Sequence, residues 1–163
     1  MINFTQTPSG TEPVIVSATF DVPTGPMFKA WTQAKQIMQW FGPNPGSLID
    51  ATLDLQIGGQ WQLVLQNDDE KREQVEGKYL EVESNQKLVF TWSHVVEYSD
   101  GTREATKYSK VTVLFTPVEQ KTHLEVRHEA IESENGRQGV GRGWKACFEH
   151  IDSLYSRSVL VES

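Results

Sequence analysis

The sequence has one cysteine, Cys147, so no disulfide can close within the chain and packing alone must hold the fold. Basic residues are few: 15 Lys and Arg stand against 22 Asp and Glu, for a net charge of −7, and no Lys/Arg run exceeds two residues. Nucleic-acid binding needs a basic stripe, and an acidic chain is repelled by anionic lipid, so neither partner is expected. No purely apolar run exceeds four residues, far short of the ~20 that span a bilayer. The N-terminal MINFTQTPSG has neither the basic stretch nor the apolar core of a secretory signal. These absences lead to the expectation of a cytoplasmic protein. What remains is ordinary globular material. The 163 residues are 37% hydrophobic and include 12 glycines, enough for one domain that buries roughly 70% of its unfolded surface.

Residues 1–12 are polar and read as a flexible arm; residues 13–163 read as a single domain. Val14 to Val22 alternates apolar and polar residues, as a half-buried strand does. Two short helices should follow, capped by Thr24 and Thr32 and stopped by Gly42-Pro43-Asn44-Pro45-Gly46. Period-2 patterning then predicts strands over 49–57, 60–66, from Val75, over 88–96, over 111–115 and over 124–130. Gly58-Gly59 and residues 67–72 mark turns, and the parity switch at Leu80 and Val82 predicts a bulge. From about residue 138 to 160 the period changes to helical, with Val140, Trp144, Cys147, Phe148, Ile151, Leu154 and Tyr155 on one face. A sheet of six or seven antiparallel strands with one apolar face must bury it, and the terminal helix is the element able to cover it. The fold class is α+β, a curved sheet around a long C-terminal helix.

Several segments carry a resemblance. Phe28-Lys29-Ala30-Trp31-Thr32, Gln39-Trp40-Phe41-Gly42-Pro43, Gly58-Gly59-Gln60-Trp61, Gly77-Lys78-Tyr79-Leu80-Glu81-Val82, Lys87-Leu88-Val89-Phe90-Thr91-Trp92, Val111-Thr112-Val113 and Gly143-Trp144 stand in an order and spacing that resemble the AHSA1-like branch of the START-like (SRPBCC) superfamily. The likeness covers about residues 13–157. It implies the helix-grip fold and a cavity between sheet and helix that takes an apolar small molecule. It supplies no shared catalytic constellation.

The inward-facing register is rich in rings. Trp61, Tyr79, Phe90, Trp92, Trp144 and Phe148 are the candidate pocket wall, with Trp40 and Phe41 near one rim. The same rings could simply fill the space under the sheet. His94 and His128 interrupt apolar rows on different strands. Each is a candidate polar anchor for a ligand oxygen or else a core histidine satisfied by a neighbour. Catalysis by either would need an orienting carboxylate, and none is visible on the inward register. Cys147 lies in the apolar stripe and reads as packing. No CxxC or HxxxH spacing is present, so neither metal nor cofactor is expected. Gly136, Gly139, Gly141 and Gly143 read as a close-packed or mobile stretch before the helix, with Arg137 and Arg142 nearby to meet an anionic head group. The expected function is binding of a small apolar molecule. A cyclase- or hydrolase-like enzyme and a stress-related or co-chaperone-like interaction module are the alternatives, and a homodimer and an Hsp90-type chaperone are the protein partners left open.

Overall fold

The computed structural model describes residues 5–6 and 12–156. Within them the order is β1 (Thr5–Gln6), β2 (Val14–Phe20), α1 (Thr24–Thr32), α2 (Ala34–Trp40), β3 (Asp50–Leu53), β4 (Gln60–Asn67), β5 (Lys71–Glu83), β6 (Lys87–Tyr98), β7 (Arg103–Ala105), β8 (Ser109–Val118), β9 (Lys121–Glu129) and α3 (Glu134–Ile151), which ends in a π-helical turn at Asp152–Ser156. The pairings are antiparallel, in the spatial order β1-β2-β9-β8-β6-β5-β4-β3, with β7 also on β6. This is the helix-grip arrangement. It has two more short strands than expected. Thr5 and Gln6 pair with Ser17 and Val16; residues 1–4 and 7–11 of the expected arm lie outside the described residues.

Local chemistry explains the departures at element ends. α1 is capped by Pro23 and α2 by Gln33, neither through a side-chain hydrogen bond. Thr32 closes α1 instead, its hydroxyl donating to the Phe28 carbonyl at 2.8 Å. β3 is shorter than its alternation suggests. Ala51 and Leu53 are half-buried, but Ile49, Leu55 and Ile57 are exposed, Ile57 by 72%. The chain leaves the sheet after Leu53 because Gly58 takes φ +83° and the Gly59 N–H bonds back to the Gln56 carbonyl, a bend no straight strand allows. The expected bulge is present: the β5–β6 register shifts between Tyr79 and Glu81, leaving Leu80 exposed. A second shift between Val64 and Gln66 bends β4 against β5.

α3 begins at Glu134, earlier than its apolar periodicity indicates, so Gly136, Gly139, Gly141 and Gly143 lie inside the helix rather than before it. Ser133 caps it, its side chain accepting from the Gly136 N–H at 3.0 Å. Glycine disfavours helix, but burial of Gly141, Trp144, Cys147, Phe148 and Ile151 against the sheet offsets that preference. Phe148 meets Phe20 of β2 edge to face at 5.5 Å. A Cβ built at Gly143 meets nothing within 4 Å. Gly143→Ala should therefore raise stability by about 0.5–1 kcal/mol. A urea melt checks this, and a destabilised variant would mean that helix does not form there.

Candidate functional site

One edge of β6 is shared between two partners. β8 pairs with it from Lys87 to Trp92, whereas from Val95 to Glu97 that edge belongs to β7. The change of partner opens the sheet beside Trp92 and Ser109. The loop after α2 and the first turns of α3 border the gap, leaving a solvent-open cavity of about 560 Å³. Phe41, Leu65, Val75, Trp92, Val140 and Trp144 give it apolar walls; His94, Thr106, Lys107, Ser109 and Glu132 supply polar groups. α3 faces it with Gly136, Gly139 and Gly143, so the helix side of the cavity is thin. The volume lies in the usual small-molecule range of ~300–1,000 Å³.

His94 sits on this wall, half-buried, and its Nε2–H donates to the Glu73 carboxylate at 2.7 Å. Its backbone N–H donates to the Thr106 hydroxyl at 2.9 Å. An orienting carboxylate is therefore present, against the sequence expectation. Glu73 was legible in principle: counting back by two from Gly77 and Val75 places it on the same face of β5. The strand simply starts earlier than its first apolar residue, at Lys71.

His128 has a different environment. It is fully buried, and Trp144 Nε1–H donates to its Nδ1 at 3.1 Å. An indole nitrogen only donates, so Nδ1 must be the acceptor and the proton resides on Nε2. Nε2–H then donates to Ser109 Oγ at 2.7 Å. Burial lowers the imidazole pKa from 6.5 to about 3, because a charge there would be stripped of water. His128 is a neutral bracket joining β9, β8 and α3. Cys147 is buried beside the cavity, and burial pushes its thiol up to about 12, leaving the unreactive neutral form.

Deeper between sheet and helices the space is nearly filled. A void of about 20 Å³ remains, bordered by Trp31, Trp61, Tyr79, Phe90, Trp92 and Trp144 among others. Trp31 of α1 takes much of the interior, stacked on Trp144 at 5.7 Å and tilted against Trp40 at 4.6 Å.

Residues 21–156 match the family profile described as Activator of Hsp90 ATPase homolog 1-like protein. The chain belongs to this family. No curated protein matches the AHSA1-like sequence significantly. Among solved structures, a Mesorhizobium loti protein is 22% identical, with TM-score 0.70 and coverage of 90% of this chain and 98% of that one. A Rhodobacter sphaeroides protein is 16% identical, with TM-score 0.73 and coverage of 95% and 99%. CalU16 from Micromonospora echinospora is 23% identical, with TM-score 0.63 and coverage of 98% and 87%. At these identities the likeness is one of fold.

In this AHSA1-like domain the residues expected at the site divide into three groups. Trp92, His94 and Trp144 line the large cavity. Trp61, Tyr79 and Phe90 border the small void, and Trp61 also lines a separate open groove with Gln60, Gly77 and Tyr108. His128 and Phe148 are buried with no exposed surface and line neither space. Trp40, expected near a rim, is fully buried, its indole N–H donating to the Ala30 carbonyl at 2.9 Å. Phe41 does lie at the cavity. Arg137 and Arg142 are not in its lining, where Lys107 is the basic side chain. Among the described residues no group of three or more His, Cys, Asp or Glu could hold a metal, and no helix is long and apolar enough to cross a membrane.

Proposed function

We propose that this protein is a receptor for a small, largely apolar molecule, held in the cavity between the parted sheet and α3. The observation behind this reading is the combination of aromatic and aliphatic walls with the Glu73-oriented His94 at one side. Covering ~200 Å² of apolar surface at ~25 cal/mol per Å² is worth about 5 kcal/mol before association entropy. One or two hydrogen bonds to His94 or Lys107 add about 1–3 kcal/mol, which after association costs leaves an affinity between about micromolar and millimolar. The cytoplasm is the compartment that suits such a receptor.

Gly143→Leu tests it. The side chain enters open space, so the fold should persist while the cavity fills. Titration with the uncharged fluorophore 6-propyl-2-(dimethylamino)naphthalene should give saturable binding to the wild type and at least about tenfold weaker binding to the variant. Equal binding by both, with unchanged melting curves, would place the ligand elsewhere. Native mass spectrometry of protein purified from its own host would identify a resident guest.

The His94–Glu73 hydrogen bond favours a second reading, acid–base catalysis on the bound molecule. A carboxylate that fixes the imidazole tautomer leaves the other ring nitrogen free to take a proton. Turnover of a bound compound, with a pH–rate profile altered in Glu73→Gln, would establish it. Binding without turnover supports the receptor.

A further inference from the structure

The sequence has five tryptophans. Trp40 and Trp144 have their indole N–H groups paired within the protein, and Trp92 is half-buried. Trp31 and Trp61 differ from these. They are only 3% and 4% exposed, and neither indole nitrogen has a hydrogen-bond partner. Burying a donor without an acceptor is strongly unfavourable, and native proteins rarely do so twice in one place. The two residues come from separate elements, α1 and β4, yet border the same void of about 20 Å³.

That space suits a single small group. Water would be only partly satisfied there. Two indole donors would occupy the lone pairs of a water molecule, and its own hydrogens would then need acceptors. The side chains bordering the void include no carbonyl or carboxylate; the only side-chain oxygen is the Tyr79 hydroxyl. A carbonyl oxygen has two lone pairs and no hydrogens, which matches two donors and an otherwise carbon-lined wall. Phe41, Trp92 and Trp144 border both this void and the large cavity. They form a partition of rings in tilted and edge-to-face contact, with centroids 5.5 to 6.2 Å apart.

We propose that the inner void is a carbonyl subsite of the receptor cavity. A ketone, aldehyde or ester lies in the outer cavity and passes its carbonyl oxygen through the Phe41–Trp92–Trp144 partition, where it accepts hydrogen bonds from Trp31 and Trp61. This assignment rests on the receptor reading and adds the ligand's functional group.

Two matched fluorophores test it. One is 6-propionyl-2-(dimethylamino)naphthalene, whose emission moves to longer wavelength when its carbonyl accepts a hydrogen bond; the other is the carbonyl-free 6-propyl analogue. Trp31→Phe and Trp61→Phe each keep an aromatic ring and remove the donor, and thermal melts confirm that each folds. The expected result is a loss of about five- to tenfold in affinity for the ketone in either variant. Its bound emission should move to shorter wavelength, and affinity for the analogue should change less than about twofold. Equal effects of either substitution on both probes, or no effect on the ketone, would overturn the subsite while leaving the receptor intact. A wild-type protein that takes up neither probe overturns the receptor reading and the subsite together.

Discussion

His128→Ala is expected to cost about 3–5 kcal/mol, roughly 10 °C in Tm, although the residue touches no cavity. The imidazole is fully buried, so its removal leaves a hole. It also leaves the Trp144 N–H without the Nδ1 acceptor now 3.1 Å away and removes the donor to Ser109 at 2.7 Å. Trp144 and Ser109 both line the large cavity, so the damage should reach ligand uptake through their positions. His128→Gln should be milder, because an amide can still accept and donate. The pH dependence is the sharper measurement. The folded pKa, about 3, lies below the ordinary 6.5, so the unfolded chain binds the extra proton. The stability due to a neutral His128 is therefore complete above pH 6.5 and lost as pH falls towards about 3. The slope is about 1.4 kcal/mol per pH unit within that window, on the order of 5 kcal/mol in all. Urea melts at several pH values should show this slope in the wild type and its loss in His128→Gln. An identical slope in both would mean that other groups govern acid unfolding.

Gly77→Ala is expected to do comparable harm in β5. An added Cβ would lie 1.8 Å from the Thr91 carbonyl oxygen and 2.6 Å from its carbon. Both atoms are backbone, so no side chain can yield, and β5 must move away from β6. The pairing on either side, Glu76 with Ser93 and Tyr79 with Phe90, would be strained, as would Trp61, which lies opposite Gly77 on β4. A cost of about 3–5 kcal/mol, with an insoluble or poorly cooperative protein as the outcome, follows from that collision. A variant within about 1 kcal/mol of wild type by urea melting would show that the strands can part there without cost.

The fold was readable from the sequence wherever burial on one face imposes a period. The alternation of 88–96 placed Leu88, Phe90 and Val96 on one face of β6, and all three are buried. The parity break at Leu80 and Val82 marks the bulge. The pattern failed where apolar residues continue past the point at which the chain turns. Ile57 keeps the strand period, yet it lies inside a turn closed by the Gln56 N–H on the Asp54 carbonyl and the Gly59 N–H on the Gln56 carbonyl. It failed in the other direction at α3, where glycines concealed about one helical turn that Ser133 starts and tertiary burial sustains.

For the site, alternation indicated which side chains face inward, because that follows from the two-residue repeat of a strand. It could not indicate how much room they leave. Trp61 and Trp92 have the same parity signal, but one borders a void of about 20 Å³ and the other also borders the cavity of about 560 Å³. His94 and His128 look alike in the sequence. One meets a carboxylate at the opening; the other is enclosed between a serine and an indole. These outcomes depend on where β6 exchanges β8 for β7 and on how far Trp31 reaches from α1. Both are contacts between segments distant along the chain, so they follow from the packing of the whole domain and leave no local period in the sequence.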